Sequence, residues 1–438
     1  MATCKTEPLT PLDLLMPRTY ISALLTFPRP APTASLSKCL QKSLTALAEK
    51  FPFLAGRVVL NSPSLEITYS GSEVLLLDKG YIEASYDSLA RRNMPPSDIP
   101  VGVWPFAQAI DEDSCKAGAP VFGASMFRFA DDSGIGICVS MHHNVVDGNG
   151  FAEVIKLWTK SINSDLFEEA EIEDRHLRLG RALEAHRCDL TLDSDALFAK
   201  HREYSNQPPA LPAEFPPCMS KVLGVSMSKI ESTKKILGQK YSTNTILSAF
   251  VWAAITQSRL HRYPRLSQIA SRLATAVNGR QRISPEFSTA EQPYLGNVVL
   301  YAIADVAVEQ LTSTSTDSLA KICEAITASQ SPTKINARHI SEVHSLVTAV
   351  PDYRAIFPGW DLFNSRDLTI TSWADLDIYA SNFGSELGKP EFVRVPYSEA
   401  DGVAMILPRK RGAEETIEVM VMLRRDDMQI LEKLDIWA

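Results

Sequence analysis

The sequence predicts an α/β protein built as two domains, and three features predict it. The chain has 438 residues, more than one hydrophobic core usually organises. Strand, turn and helix signals alternate through its first half. After a charged, proline-rich stretch the same alternation begins again, so a functional site is expected where the two halves meet.

The elements follow in order. Leu36, Leu40, Leu44, Leu47 and Phe51 are apolar at helical spacing, and Pro52 ends the helix they predict. In FPFLAGRVVL, Gly56 opens a strand. Further on, Ile135, Ile137, Val139 and Met141 alternate with Gly136, Cys138 and Ser140, the period of a strand whose two faces differ in bulk. That strand runs into His142-His143-Asn144-Val145-Val146-Asp147-Gly148. Gly148 and Gly150 permit a tight turn, and Phe151, Val154, Ile155, Trp158 and Ile162 recur at helical spacing behind it. From Asn163 to Cys218 the chain is charged and then proline-rich, which reads as a crossover.

The second half begins with an amphipathic helix over Thr243 to Arg259, with Ile246, Leu247, Phe250, Val251, Ala254 and Ile255 inward and Ser/Thr capping candidates before it. A strand at Leu273 to Val277 meets the turn Asn278-Gly279-Arg280. Gly402 to Leu407 and Thr416 to Leu423 read as two strands joined by the polar turn PRKRGAEE, and Asp426 to Leu434 as a closing helix. The predicted organisation is an N-terminal domain over 1–180, a crossover linker over 181–220 and a C-terminal domain over 221–438.

Composition excludes several classes. With 44 basic against 52 acidic side chains the net charge is −8, which argues against a nucleic-acid or anionic-membrane surface. Seven scattered cysteines without CxxC spacing imply neither a disulfide framework nor a zinc site, and fit a reducing compartment. MATCKTEPLTPLDLLMPRTY is broken by prolines and charges and lacks a signal-peptide core. No apolar run approaches the roughly 20 residues of a membrane span. A cytoplasmic protein, preferably monomeric, is expected.

The chemistry sits in the histidine motif. An imidazole and a carboxylate four positions apart, where a strand enters a glycine turn, suggest a general base on a rigid mount. Extended geometry sends His142 and His143 to opposite faces, so only one of them faces a given cleft. The other histidines (His176, His186, His201, His261, His339, His344) form no HExxH-type or Cys/His array, and no metal is expected. The chain has no G-x-S-x-G elbow and no cysteine beside His143 in sequence, which argues against a covalent acyl-enzyme.

Together with HHNVVDG, the segments LTPLDLLMPRTY, FPFLAGRV (Phe51 to Val58), STNTILSAFVW (Ser242 to Trp252), VNGRQRISP (Val277 to Pro285), YLGN (Tyr294 to Asn297) and TSWADLDIYASNFGSELGKP (Thr371 to Pro390) make the chain resemble the BAHD-type acyltransferases. The likeness is greatest to the fungal secondary-metabolite branch that includes trichothecene acetyltransferases. The resemblance implies two chloramphenicol-acetyltransferase-like domains, mixed sheets flanked by helices, with a solvent channel at the interface. It implies transfer of an acyl group, acetyl by analogy, from acyl-CoA as cosubstrate to a hydroxyl or amine of a small-molecule acceptor, with no tightly bound cofactor.

His143 and Asp147 are the expected catalytic pair: four positions apart, the carboxylate could orient the imidazole as a dyad, whereas the same resemblance makes His143 the catalytic base and pairs Asp147 with Arg280 in a structural role. Thr371 and Trp373 are implied to border the reacting centre, as possible donors to the oxyanion. Ser242 and Thr243 are implied to lie near the pantetheine arm of CoA. Arg409, Lys410 and Arg411 read first as a solvated hairpin turn and second as phosphate contacts. The family's DFGWG motif is altered here to Asn382-Phe383-Gly384-Ser385-Glu386-Leu387-Gly388, which puts stability in question more than catalysis. Three rival functions use the same fold: a condensation-type enzyme taking acyl groups from carrier proteins, a CoA-independent intramolecular cyclase, and a noncatalytic binding protein.

Overall fold

Two mixed sheets organise the chain in the computed structural model, which describes residues 4–28, 34–71, 73–163, 174–187, 193–412 and 415–438. The strands are β1 (Tyr20–Phe27), β2 (Leu76–Tyr81), β3 (Phe122–Arg128), β4 (Ile135–His142), β5 (Cys218–Ser226), β6 (Ala270–Asn278), β7 (Val299–Ala307), β8 (Leu368–Ser372), β9 (Phe392–Arg394), β10 (Val403–Ile406) and β11 (Thr416–Arg424). The first sheet has the order β9-β1-β4-β3-β2 and the second β5-β11-β10-β8-β6-β7. In the first, only β2 and β3 are parallel. In the second, β8 is parallel to both β6 and β10. The architecture is α/β in two domains, as expected.

The halves are not separate in chain order. β9 comes from the second half yet pairs with β1, joining Val393 to Leu25 in the first sheet. The next residue, Arg394, is buried and donates both to the Glu418 carboxylate of β11 and to the Asn93 carbonyl of the first half. Backbone ladder and buried ion pair therefore fasten the halves at one place.

β4 explains the bulk difference between its faces. Ile135, Ile137, Val139 and Met141 share a core with Leu40, Leu44 and Leu47 of the Ala34–Lys50 helix and with Phe151, Val154 and Trp158 of the Gly148–Ile162 helix. The two helices are tied where Trp158 Nε1 donates to Ser43 Oγ at 2.9 Å. The opposite face is equally covered, because all eight residues of β4 are buried. There the side chains are small because neighbouring rings occupy the space. A Cβ on Gly136 would come within 2.2 Å of the Phe127 ring, and Cys138 packs with Leu24 and Phe127.

The second sheet is covered by the Thr243–Arg262 helix, which runs past the expected end at Arg259. The closing helix, Arg425–Leu431, stops short of the expected Leu434. The stretch read as a crossover linker is structured as well. It carries helices Arg175–Glu184 and Ser194–Lys200 and a short strand, Tyr204–Ser205. Leu179, Leu183, Leu197 and Tyr204 from these elements share a core with Ile340, Val343 and Leu346 of the Ala337–Ala349 helix. Residues 164–173 and 188–192 of this stretch lie outside the described residues, as do 413–414 of the PRKRGAEE turn. Among the described residues no helix is long and apolar enough to cross a membrane.

Candidate active site

The HHNVVDG turn follows directly on the end of β4 and is held at almost every residue. His142 N–H donates to Val121 O and His143 N–H to Thr19 O, each at 2.9 Å. Asn144 turns inward, its Nδ2 donating to the carbonyls of Asp13 and Met16 at 2.8 Å each. Arg175 donates to Val145 O at 2.9 Å, and its own charge is met by Glu7 at 2.7 Å. From the second half, Asn297 Nδ2 donates to His143 O at 2.9 Å. The same amide and its backbone N–H both donate to Asp13 Oδ1, at 2.8 and 2.9 Å.

Asp147 is the densest point of this network. Its carboxylate is fully buried and accepts four hydrogen bonds, two at each oxygen. Arg280 supplies a fork at 2.7 and 2.9 Å. Gly150 N–H donates at 2.9 Å, which makes Asp147 the N-cap of the Gly148–Ile162 helix, and Val298 N–H donates at 2.9 Å from the second half. Burial alone would raise the carboxyl pKa, but the Arg280 guanidinium and the two backbone donors outweigh it and hold Asp147 below the usual carboxylate range. Arg280 in turn donates to the carbonyls of Tyr294 and Gly296. Asp147 is thus saturated by partners other than His143.

The two histidines have different surroundings. His142 is fully buried, lies edge-on to Tyr20 at 5.7 Å between ring centroids, and accepts at Nδ1 from Asn144 N–H. Burial pushes its pKa down to about 3. His143 retains partial exposure. Burial of much of its ring lowers its pKa too, so it is a neutral imidazole at neutral pH and able to accept a proton. His143 does not line the described cavities of about 480, 390 and 520 Å³. One of them, about 390 Å³, lies behind the turn against Arg175 and Tyr294.

The structure brings some of the expected residues to this turn and leaves others apart. Trp373 is buried over the first turn of the helix behind the motif. Its ring lies 5.6 Å from that of Phe151, and a Cβ on Gly148 would sit 3.0 Å from its Nε1. Thr371 is half-buried on β8, two residues upstream. Ser242 is the N-cap of the Thr243–Arg262 helix, its Oγ accepting from Thr245 N–H at 3.0 Å, so local helix chemistry already accounts for it. Arg411 pairs with Asp375 at 2.7 Å, both exposed. Cys138 is buried, and burial raises its thiol pKa, which suits a packing residue and not a nucleophile.

The altered glycine motif sits at the far end of the same helix. Phe383 wedges between Trp158 and Phe27, 5.3 Å from each ring. Asn382 O accepts from Asn163 Nδ2 at the helix C-terminus. Gly384 has φ +84°, left-handed backbone that favours glycine, and closes a single helical turn with Gly388. A 15-residue helix spans roughly 22 Å, so this motif supports the fold at a distance from His143.

Sequence reasoning assigned no role to Asp13, Asn144, Arg175 or Asn297. Asp13 and Asn297 lie inside LTPLDLLMPRTY and YLGN, yet only the fold shows that one carboxylate meets the other segment's amide.

Residues 3–435 match the family model described as Transferase family, and the chain belongs to that family. It is 27% identical to a trichothecene 8-O-acetyltransferase of Fusarium sporotrichioides, over 98% of this chain and 96% of the relative. It is 26% identical to an eremophilane O-acetyltransferase of Penicillium roqueforti, over 93% of each. Among solved structures, TRI101 of F. sporotrichioides, crystallised with coenzyme A and T-2, superposes with a TM-score of 0.83 at 18% identity over 98% of both chains. Vinorine synthase superposes with a TM-score of 0.67 at 19% identity, over 99% of this chain and 94% of that one. Both share the fold.

Removing the charge of Asp147 leaves Arg280 buried without its anionic partner, a loss of roughly 3–5 kcal/mol for a broken buried pair. Asp147→Asn is therefore expected to lower melting temperature and turnover together, measured on the same preparation. A collapse of turnover at unchanged melting temperature would instead make Asp147 an electrostatic partner of His143.

Proposed function

We propose that this protein is an acyl-CoA-dependent O-acyltransferase that moves an acetyl group to a hydroxyl of a small secondary metabolite, with His143 as general base. One observation carries the reading: a partly exposed imidazole, kept neutral by burial, stands on a turn fixed from both halves of the chain. The named activities of the relatives supply the reaction class, and the trichothecene and eremophilane in two of those names suggest the kind of acceptor.

An alcohol is too weak an acid to attack a thioester unaided. His143 takes the hydroxyl proton as the acceptor oxygen bonds to the thioester carbonyl carbon. The tetrahedral oxyanion then collapses, the carbon–sulfur bond breaks, and the imidazolium returns its proton to the departing CoA thiolate. Atoms and charge balance with one histidine acting in both directions. Asp147 positions the turn and does not relay charge, because its lone pairs face Arg280, Gly150 and Val298. Thr371 and Trp373 are proposed to border the oxyanion, and Ser242 and Thr243 the pantetheine arm. The two substrates are proposed to meet at His143 through a channel between the domains, which join around residues 181–220. The net charge of −8 supports an enzyme with no nucleic-acid partner, and the scattered cysteines support a cytoplasmic location; a monomer is the proposed state.

Two outcomes test this. With acetyl-CoA and a panel of hydroxylated terpenoids, His143→Ala is expected to lower turnover by roughly two to four orders of magnitude with the fold intact. His142→Ala is expected to lower melting temperature through the cavity beneath Tyr20, with turnover per folded molecule little changed. Equal losses of turnover in both folded variants would remove the assignment. With acetyl-CoA and no acceptor, intact-protein mass spectrometry is expected to show no acylated enzyme, and initial-rate plots to intersect, since both ligands must be present for transfer. A stoichiometric, chemically competent adduct would make His143 the activator of a protein nucleophile.

A further inference from the structure

Away from the histidine turn, the fold gathers buried His201 and Glu203 and half-buried His339 into one cluster, although 136 positions of sequence separate Glu203 from His339. Their donor atoms all lie within 4.8 Å of one another. Glu203 Oε1 is 3.2 Å from His201 Nδ1 and 3.1 Å from His339 Nε2. The two imidazoles meet edge-on, 4.8 Å between centroids at 72°, so neither ring stacks over the other's nitrogens.

We propose that His201 Nδ1, Glu203 Oε1 and His339 Nε2 form a binding site for one divalent first-row transition ion of the Zn²⁺ type. Two imidazoles and one carboxylate are a donor set such ions take. Tetrahedral bonds of about 2.0–2.1 Å put ligand atoms about 3.3 Å apart, close to the two separations observed. His201 Nδ1 and Glu203 Oε1 stand in hydrogen-bond geometry, whereas the second imidazole does not. His339 Nε2 is buried and close to the carboxylate, yet makes no hydrogen bond with it, so its lone pair is aimed to one side of Oε1, as converging ligands require.

The surroundings also suit an ion. Glu342 Oε2 lies 3.2 Å from the other nitrogen of His201 without a hydrogen bond between them, and places a further negative charge beside the site. Glu342 is itself charge-balanced by Lys200 and by Arg338 at 3.0 Å. A cavity of about 520 Å³ opens onto the cluster and leaves room for a water as a further ligand. The ion would pin the crossover, which supplies His201 and Glu203, to the Ala337–Ala349 helix, which supplies His339.

The test uses the full-length, untagged chain. Elemental analysis after Zn²⁺ loading and exhaustive gel filtration is expected to give roughly one ion per chain, and Zn²⁺ addition to chelator-treated protein to raise the melting temperature. Co²⁺ substitution is expected to give the visible ligand-field bands of a tetrahedral nitrogen–oxygen site. His339→Gln and Glu203→Gln are expected to bring bound metal to background. The exposed His261→Gln serves as a control that keeps full binding. Wild-type protein that retains no Zn²⁺ and shows no melting shift overturns the proposal and makes the cluster a proton-held ion network. Binding that survives in folded His339→Gln overturns it equally, since the ion would then sit elsewhere.

Discussion

The buried contact between Asp147 and Arg280 is the interaction on which the rest of the site depends. A carboxylate with no exposure is costly to bury unless every lone pair is met. Here the guanidinium fork and two backbone N–H groups meet them all. One side chain thereby does three things at once: it caps the helix behind the histidine motif, anchors Arg280 from the second half, and fixes where Val298 approaches. The position of His143 follows from these constraints, because only three residues separate it from that anchor.

A second constraint acts through β4. Its apolar face binds the two helices of the first domain, and its small face accepts Phe127 and Tyr20 from neighbouring strands. His142 belongs to that buried layer, and the chain then turns, so the next side chain is the first one free to face outward. Exposure of His143 is thus a product of strand ending as much as of residue choice. Asn297, itself held by Asp13, completes the mount by donating to the His143 carbonyl, and Phe383 packs against Trp158 towards the far end of the helix.

Much of this was legible in the sequence where a local period reports it. Alternation at 135–141 and helical spacing at 151–162 place the strand, the turn and the helix, and they place the imidazole at their junction. Partners distant in sequence had no such signal: nothing in the spacing of Asp13 and Asn297 says that they meet, and the ladder between β9 and β1 crosses more than 360 positions. The crossover carries little sign of its helices because its charges and prolines outnumber Leu179, Leu183 and Leu197, three residues whose value as core appears only against the Ala337–Ala349 helix. His201, Glu203 and His339 were hidden for the same reason, since a cluster built from separate segments has no motif. The ion pair of Asp147 and Arg280 was expected from family resemblance and not from spacing.

The account stands on that pair acting as one unit that holds the His143 turn. A double-mutant cycle over Asp147→Asn and Arg280→Met, read in both melting temperature and kcat/KM, tests it most directly. The account predicts strong coupling in both readouts, with the double variant no worse than the worse single one, because the second change removes a partner already lost. Additive losses in kcat/KM would contradict it, showing that Asp147 and Arg280 act on the reaction separately.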